Sequence, residues 1–107
     1  MRYIIFSVLL YLLIAGQTFS QWVQTNGPYG GDVNCFAVSS TNLFAGTGSG
    51  GVFRSTDNGT NWTVANTGLT YLYISSLTSS GTNLFAGTGG GGVFRSTDNG
   101  TNWTVAN

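Results

Sequence analysis

Beyond residue 20 the apolar residues come in short runs, each cut by glycine or by small polar residues. The runs cover residues 33–38, 42–45, 52–55 and 62–65, and then 74–78, 83–86, 93–96 and 103–106. Ser39-Ser40, the glycine-rich segment 46–51 and Asp57-Asn58-Gly59 separate the first four. Short runs of β-branched and aromatic residues, divided by Gly and Asn-Gly, predict strands joined by hairpins. Nowhere among them do apolar residues recur at the spacing of an amphipathic helix. The predicted fold is all-β, made of antiparallel four-stranded meanders.

The pattern repeats. Residues 41–66 read TNLFAGTGSGGVFRSTDNGTNWTVAN, and residues 82–107 differ from them only in Gly90 for Ser49, at an offset of 41 residues. A period of about 40–45 residues suits a propeller blade of four strands. Upstream the match thins but stays in register, with Gly27 opposite Gly68, Val33 opposite Ile74, Phe36 opposite Leu77 and Ser39 opposite Ser80. Blade 1 is therefore expected over about 27–67 and blade 2 over about 68–107. Ahead of them, Gln21-Trp22-Val23-Gln24-Thr25-Asn26-Gly27 resembles the end of a blade shortened by one residue. Residues 22–25 are expected to form an outer strand without a blade of its own, of the kind that closes a propeller ring.

The first 20 residues follow a different logic. Arg2 is followed by an almost wholly apolar stretch over 3–15, and then by Gly16-Gln17-Thr18-Phe19-Ser20. A short positive start, an apolar run and small residues describe a secretory signal peptide over 1–20, cleaved after Ser20. The alternative is a membrane anchor, but a spanning helix needs roughly 20 apolar residues. The mature chain is then expected outside the cell or in the periplasm, with no stable membrane span.

Composition narrows the picture further. The chain has three arginines, three aspartates and no Lys, Glu or His. Without a basic patch, nucleic acid is not an expected partner. Low charge points to disorder only when apolar content is low as well, and here aromatic and β-branched residues are plentiful. Cys35, the one cysteine, aligns with Ser76. It cannot pair within its own chain, so a small buried side chain is expected, the alternative being a reactive or intermolecular thiol.

The most distinctive segment is Ser55-Thr56-Asp57-Asn58-Gly59-Thr60-Asn61-Trp62, repeated from Ser96 through Asp98 and Gly100 to Trp103. An Asp side chain can accept hydrogen bonds from backbone N–H groups two or three residues on and so close a turn. Glycine readily takes positive φ. A tryptophan opening the next strand can cover the hairpin's apolar edge, removing about 150–250 Å² from water. These residues therefore have a structural reading: Ser55, Asp57, Gly59 and Trp62 in one unit, and Ser96, Asp98, Gly100 and Trp103 in the other. The pattern resembles the Asp-box, or bacterial neuraminidase repeat, of sialidases, the sortilin ectodomain, certain xyloglucan hydrolases and photosystem II assembly factors. The seventh position, often Thr in that family, is Asn61 and Asn102 here. The resemblance implies blades of a β-propeller. It also implies that these motifs lie away from any active site.

Other motifs suggest chemistry that their context removes. Gly46-x-Gly48-x-x-Gly51 and its copy at Gly87, Gly89 and Gly92 have dinucleotide-binding spacing, but strands rather than helices follow them. Asp57-Asn58-Gly59 hints at a calcium loop, whose closing Glu is absent. Sequons at Asn58, Asn61, Asn99 and Asn102 arise from the turn motif itself. No cofactor and no metal are expected. A sialidase uses an arginine triad with Tyr, Glu and Asp, and this mature chain has only Arg54 and Arg95, at equivalent repeat positions. Glycosidases generally need two carboxyl groups in different environments, and Asp57 and Asp98 are assigned to turns. The chain is expected not to be an enzyme.

Propellers have four to eight blades as a rule. Two blades leave open sheet edges, which pair with other chains. Either the chain is a piece of a longer ring, which is the reading preferred here, or several copies assemble one. The expected function is a secreted binding or scaffold module for an extracellular protein or glycan. Tyr71-Leu72-Tyr73 could touch such a partner, although core packing is the more ordinary role for aromatics. The alternatives are a piece of an Asp-box glycoside hydrolase with its catalytic residues elsewhere, and a photosystem II assembly factor-like propeller.

Overall fold

The computed structural model describes residues 23–106. The predicted leader over 1–20, and Trp22 of the predicted closing strand, lie outside the described residues.

Alternation of side chains across strands and glycine turns between them produce eight strands among the described residues. They are β1 (Val33–Ser39), β2 (Asn42–Thr47), β3 (Val52–Ser55), β4 (Thr63–Val64), β5 (Ile74–Ser80), β6 (Asn83–Thr88), β7 (Val93–Ser96) and β8 (Thr104–Val105). They form two antiparallel four-stranded sheets, ordered β1-β2-β3-β4 and β5-β6-β7-β8. Each sheet is a consecutive meander, and the two keep the same register: Phe44 faces Arg54 in one, and Phe85 faces Arg95 in the other. The all-β, two-blade architecture expected from the sequence is the one observed.

The strand ends differ from the expected runs in an informative way. β2 and β6 extend two residues further, into the glycine-rich segment, because Thr47 and Thr88 tie it down. Thr47 N and Oγ1 both donate to Gly51 O, at 3.0 and 2.8 Å, and Gly50 N donates back to Thr47 Oγ1 at 3.0 Å. The turn therefore shrinks to the residues between Thr47 and Val52. At the other end, Trp62 and Trp103 stand before β4 and β8 rather than opening them. Their backbone N–H groups leave the sheet, Trp62 N donating to Asn26 O at 3.2 Å and Trp103 N to Thr67 O at 2.8 Å. Val23, Gln24 and Thr25 are exposed and lie in no strand. Contact with blade 1 comes instead through Asn26, in an isolated parallel bridge to Asn61.

The core lies between the blades. One face of blade 1 supplies Phe44 and Val52, with Cys35 and Ala37 at its margin. The facing side of blade 2 supplies Leu84, Ala86, Phe94 and Trp103, with Leu77 at its margin, and Leu69, Ile74 and Ala65 complete the cluster. Cys35 is half-buried, and burial raises its thiol pKa. The inner strands β1 and β5 are stitched by side chains, Asn34 Nδ2 donating to Ile74 O at 2.9 Å and Ser79 Oγ to Val38 O at 2.7 Å.

Candidate functional site

The turn after β3 is built from the hydroxyl of Ser55 outward. Ser55 Oγ donates to Asp57 Oδ1 at 2.8 Å and accepts from Gly59 N at 2.8 Å. Asp57 then receives Asn61 N on Oδ1 and Asn61 Nδ2 on Oδ2, both at 2.9 Å. Asn58 and Gly59 take positive φ, 58° and 88°, so the chain reverses between those two anchors. The sequence assigned the near N–H groups to the aspartate. In the fold the buried serine takes Gly59 N, Thr60 N goes to the main-chain carbonyl of Asp57, and the carboxylate reaches four residues on. This also gives Asn61 a purpose that spacing did not reveal, since its backbone N–H and its side-chain amide each meet one carboxylate oxygen. The second turn repeats the scheme: Ser96 Oγ donates to Asp98 Oδ1 at 2.8 Å, Gly100 N donates to Ser96 Oγ at 2.8 Å, and Asn102 N and Nδ2 reach Asp98 at 2.8 and 2.9 Å.

These bonds act on the ionised carboxylate. The backbone N–H and side-chain amide of Asn61, with the Ser55 hydroxyl, hold Asp57 down at about 2. Asp98 is lowered in the same sense, first by the Asn102 amide and then by its N–H. A pKa lower in the folded than in the unfolded chain means that the ionised form favours folding. That contribution is complete above the unfolded value of about 4 and is lost as pH falls toward about 2. Denaturation midpoints are expected to drop on acidification through this window, and to flatten in the Asp57→Asn, Asp98→Asn double variant. Urea titrations at a series of acidic pH values check this, and an equally steep drop in the double variant would refute it.

The two tryptophans occupy unequal sites. Trp103 is only 3% exposed, wedged against blade 1, and its Nε1 donates to Ala65 O at 2.8 Å. Trp62 is half-buried and lies tilted at 6.4 Å from Phe36. Its Nε1 is buried and finds no hydrogen-bond partner among the described residues. Arg54 is likewise drawn into the blade junction, Nη1 donating to Asn99 O at 2.8 Å. Arg95, its counterpart, is exposed.

Where the repeats diverge, blade 2 presents an aromatic surface. Tyr71-Leu72-Tyr73 stands where blade 1 has Gly30-Gly31-Asp32. The tyrosines lie over the β6–β7 turn: a Cβ at Gly89 would fall 2.5 Å from Tyr73 Cδ1, and one at Gly91 would overlap the Tyr71 ring. Gly89 N donates to Tyr73 O at 2.9 Å, and Tyr71 packs at 6.4 Å from Phe94. One side of each ring is thus supported, yet Tyr71 and Tyr73 remain 48% and 54% exposed. The sequence favoured core packing for them; in the fold they are both packed and presented.

Among the described residues, no three His, Cys, Asp or Glu side chains come together. No helix among them is long and apolar enough to cross a membrane. No curated protein matches the chain. The DUF6242 beta propeller domain matches it over residues 8–107. Two consecutive four-stranded meanders, packed face on face and covered by that match, make the chain a member of the DUF6242 beta propeller domain family.

Proposed function

We propose that the chain is a non-catalytic propeller module of the cell exterior, of the Asp-box type, which binds an extracellular protein or glycan. The observation that carries this reading is the tyrosine pair over the β6–β7 turn. Rings laid on glycines are held flat with their outer sides open. A flat, supported aromatic surface stacks on a partner's apolar face at little entropic cost, while its hydroxyl can hydrogen-bond. It occurs at the one loop where the repeats differ in character, as a site added to a repeating frame would.

The polar residues support the non-catalytic part. Asp57 and Asp98 spend their oxygens on the turns. Arg54 is engaged across the blade junction. The exterior location rests on the signal-like segment over 1–20.

The test is a glycan array and a panel of extracellular-matrix proteins probed with the full chain, the Tyr71→Ala, Tyr73→Ala variant serving as control. A bound class whose affinity falls about tenfold or more in the variant is expected, since an aromatic contact is worth about 0.5–1.5 kcal/mol beyond its area. Binding that survives the double substitution would move the site elsewhere. Turnover of fluorogenic glycosides would overturn the non-catalytic reading.

A further inference from the structure

The dipeptide Asn-Gly occurs three times, at 26–27, 58–59 and 99–100. It carries chemistry of its own. Glycine has no Cβ to shield its nitrogen. Once deprotonated, that nitrogen can attack the side-chain amide carbon of the asparagine before it. What holds the glycine N–H therefore decides whether the reaction runs, because a buried, bonded N–H keeps both its proton and its position.

The fold treats the three copies differently. Gly59 and Gly100 are buried, and their N–H groups donate to Ser55 Oγ and Ser96 Oγ, each at 2.8 Å. Gly27 is half-buried, and its N–H has no hydrogen-bond partner among the described residues. The carbonyl of the same peptide group, Asn26 O, accepts from Trp62 N at 3.2 Å. That bond polarises the peptide and makes the Gly27 proton easier to lose. The amide of Asn26 is held by Nδ2 donating to Asn61 Oδ1 at 3.0 Å, an exposed contact that water can replace at small cost. Neither half of this reacting pair is locked by a buried bond.

We propose that Asn26 is a site of spontaneous covalent modification, where the Gly27 nitrogen closes on the Asn26 amide and converts the residue to aspartate and isoaspartate. Gly27 N gives up its proton and bonds to Asn26 Cγ. The Cγ–Nδ2 bond breaks, and Nδ2 leaves as ammonia with that proton. Water then opens the cyclic imide at either carbonyl, and nothing is oxidised or reduced. The products undo the contact that Asn26 makes. A carboxylate at 26 meets Asn61 Oδ1 acceptor to acceptor, with the ionised Asp57 on the far side of the same amide. Isoaspartate also lengthens the main chain by a methylene, between the bond from Asn26 N to Thr60 O and the bond from Trp62 N to Asn26 O. The segment before blade 1 is thereby released from the turn. The equivalent position in blade 2 is Thr67, so the junction between the blades is spared.

The test is to incubate the full chain in mildly alkaline buffer and follow the three Asn-Gly peptides by mass spectrometry with isoaspartate detection. Asn26 is expected to convert at least about tenfold faster than Asn58 or Asn99, since attack at those sites first breaks a buried hydrogen bond. Hydrogen exchange at Trp62 N–H should quicken in the converted fraction. In urea the three rates should draw together, because only the fold separates them. Ser55→Ala should make Asn58 labile in the folded chain, and the urea comparison stands whether or not that variant folds. Conversion of Asn58 or Asn99 as fast as Asn26 in the native chain overturns the proposal. So does an Asn26 that stays intact while the urea-unfolded chain converts, or a lead for Asn26 that persists undiminished in urea. The tyrosine surface has no part in any of these outcomes.

Discussion

Replacing Trp103 by alanine is expected to lower the unfolding free energy by about 3–5 kcal/mol, the range for truncating a buried large aromatic. The same substitution at Trp62 should cost distinctly less, although the surrounding eight-residue motif is identical. Trp103 fills the space between the blades and closes a buried hydrogen bond to Ala65 O. Its loss opens a cavity beside Phe44 and Leu84 and leaves that carbonyl without its donor. Trp62 covers the outer side of blade 1, is half-buried, and has no hydrogen bond at Nε1 among the described residues. Removing it even relieves a buried donor without a partner, which by itself costs about 1–3 kcal/mol. Urea unfolding of both variants, at dilutions where the chain is monomeric, measures the difference. Equal losses would show that the blade junction is not what stabilises the pair. If Trp103→Ala does not fold, Trp103→Phe against Trp62→Phe gives the same comparison with milder changes.

Gly100→Ala should likewise be more damaging than Gly59→Ala. Both glycines have positive φ, 79° and 88°, where an L side chain costs about 1–2 kcal/mol. At Gly59 the added methyl would sit at ordinary contact distance, 3.6 Å from the Trp62 ring and 3.7 Å from Leu43. At Gly100 it would meet the Phe44 ring at 2.9 Å, and Phe44 is fully buried with no room to withdraw. Overpacking of that kind adds about 1–3 kcal/mol. Thermal melts of the two variants separate the backbone cost, common to both, from the packing cost, present only at Gly100. Equal melting temperatures would mean that the second blade yields to the methyl without strain.

Both comparisons turn on the same division between what sequence and tertiary structure supply. Strand positions, turn positions and the four-stranded blade were legible from residue order, because alternation, glycine and Asn-Gly act over a few neighbours. The turn motif was legible too, down to the serine, aspartate, glycine and tryptophan that build it. Its wiring was not. Whether Gly59 N–H meets Ser55 or Asp57 depends on the path of the chain after Asn58, and on the Asn61 amide turning back to the carboxylate. Nor could the sequence decide whether Tyr71 and Tyr73 would be buried. That depended on which turn lay beneath them, and the glycines of the β6–β7 turn left room for the rings on one side only.

By itself, then, the sequence determined the blade and its number of copies, since a 41-residue unit written twice must fold twice in the same way. Tertiary structure alone decided which copy of each residue carries the stability. Phe44 and Phe85, Trp62 and Trp103, and Arg54 and Arg95 have the same local surroundings and different neighbours. Burial is a property of two surfaces in contact, and a repeat specifies both surfaces without saying which of them meet.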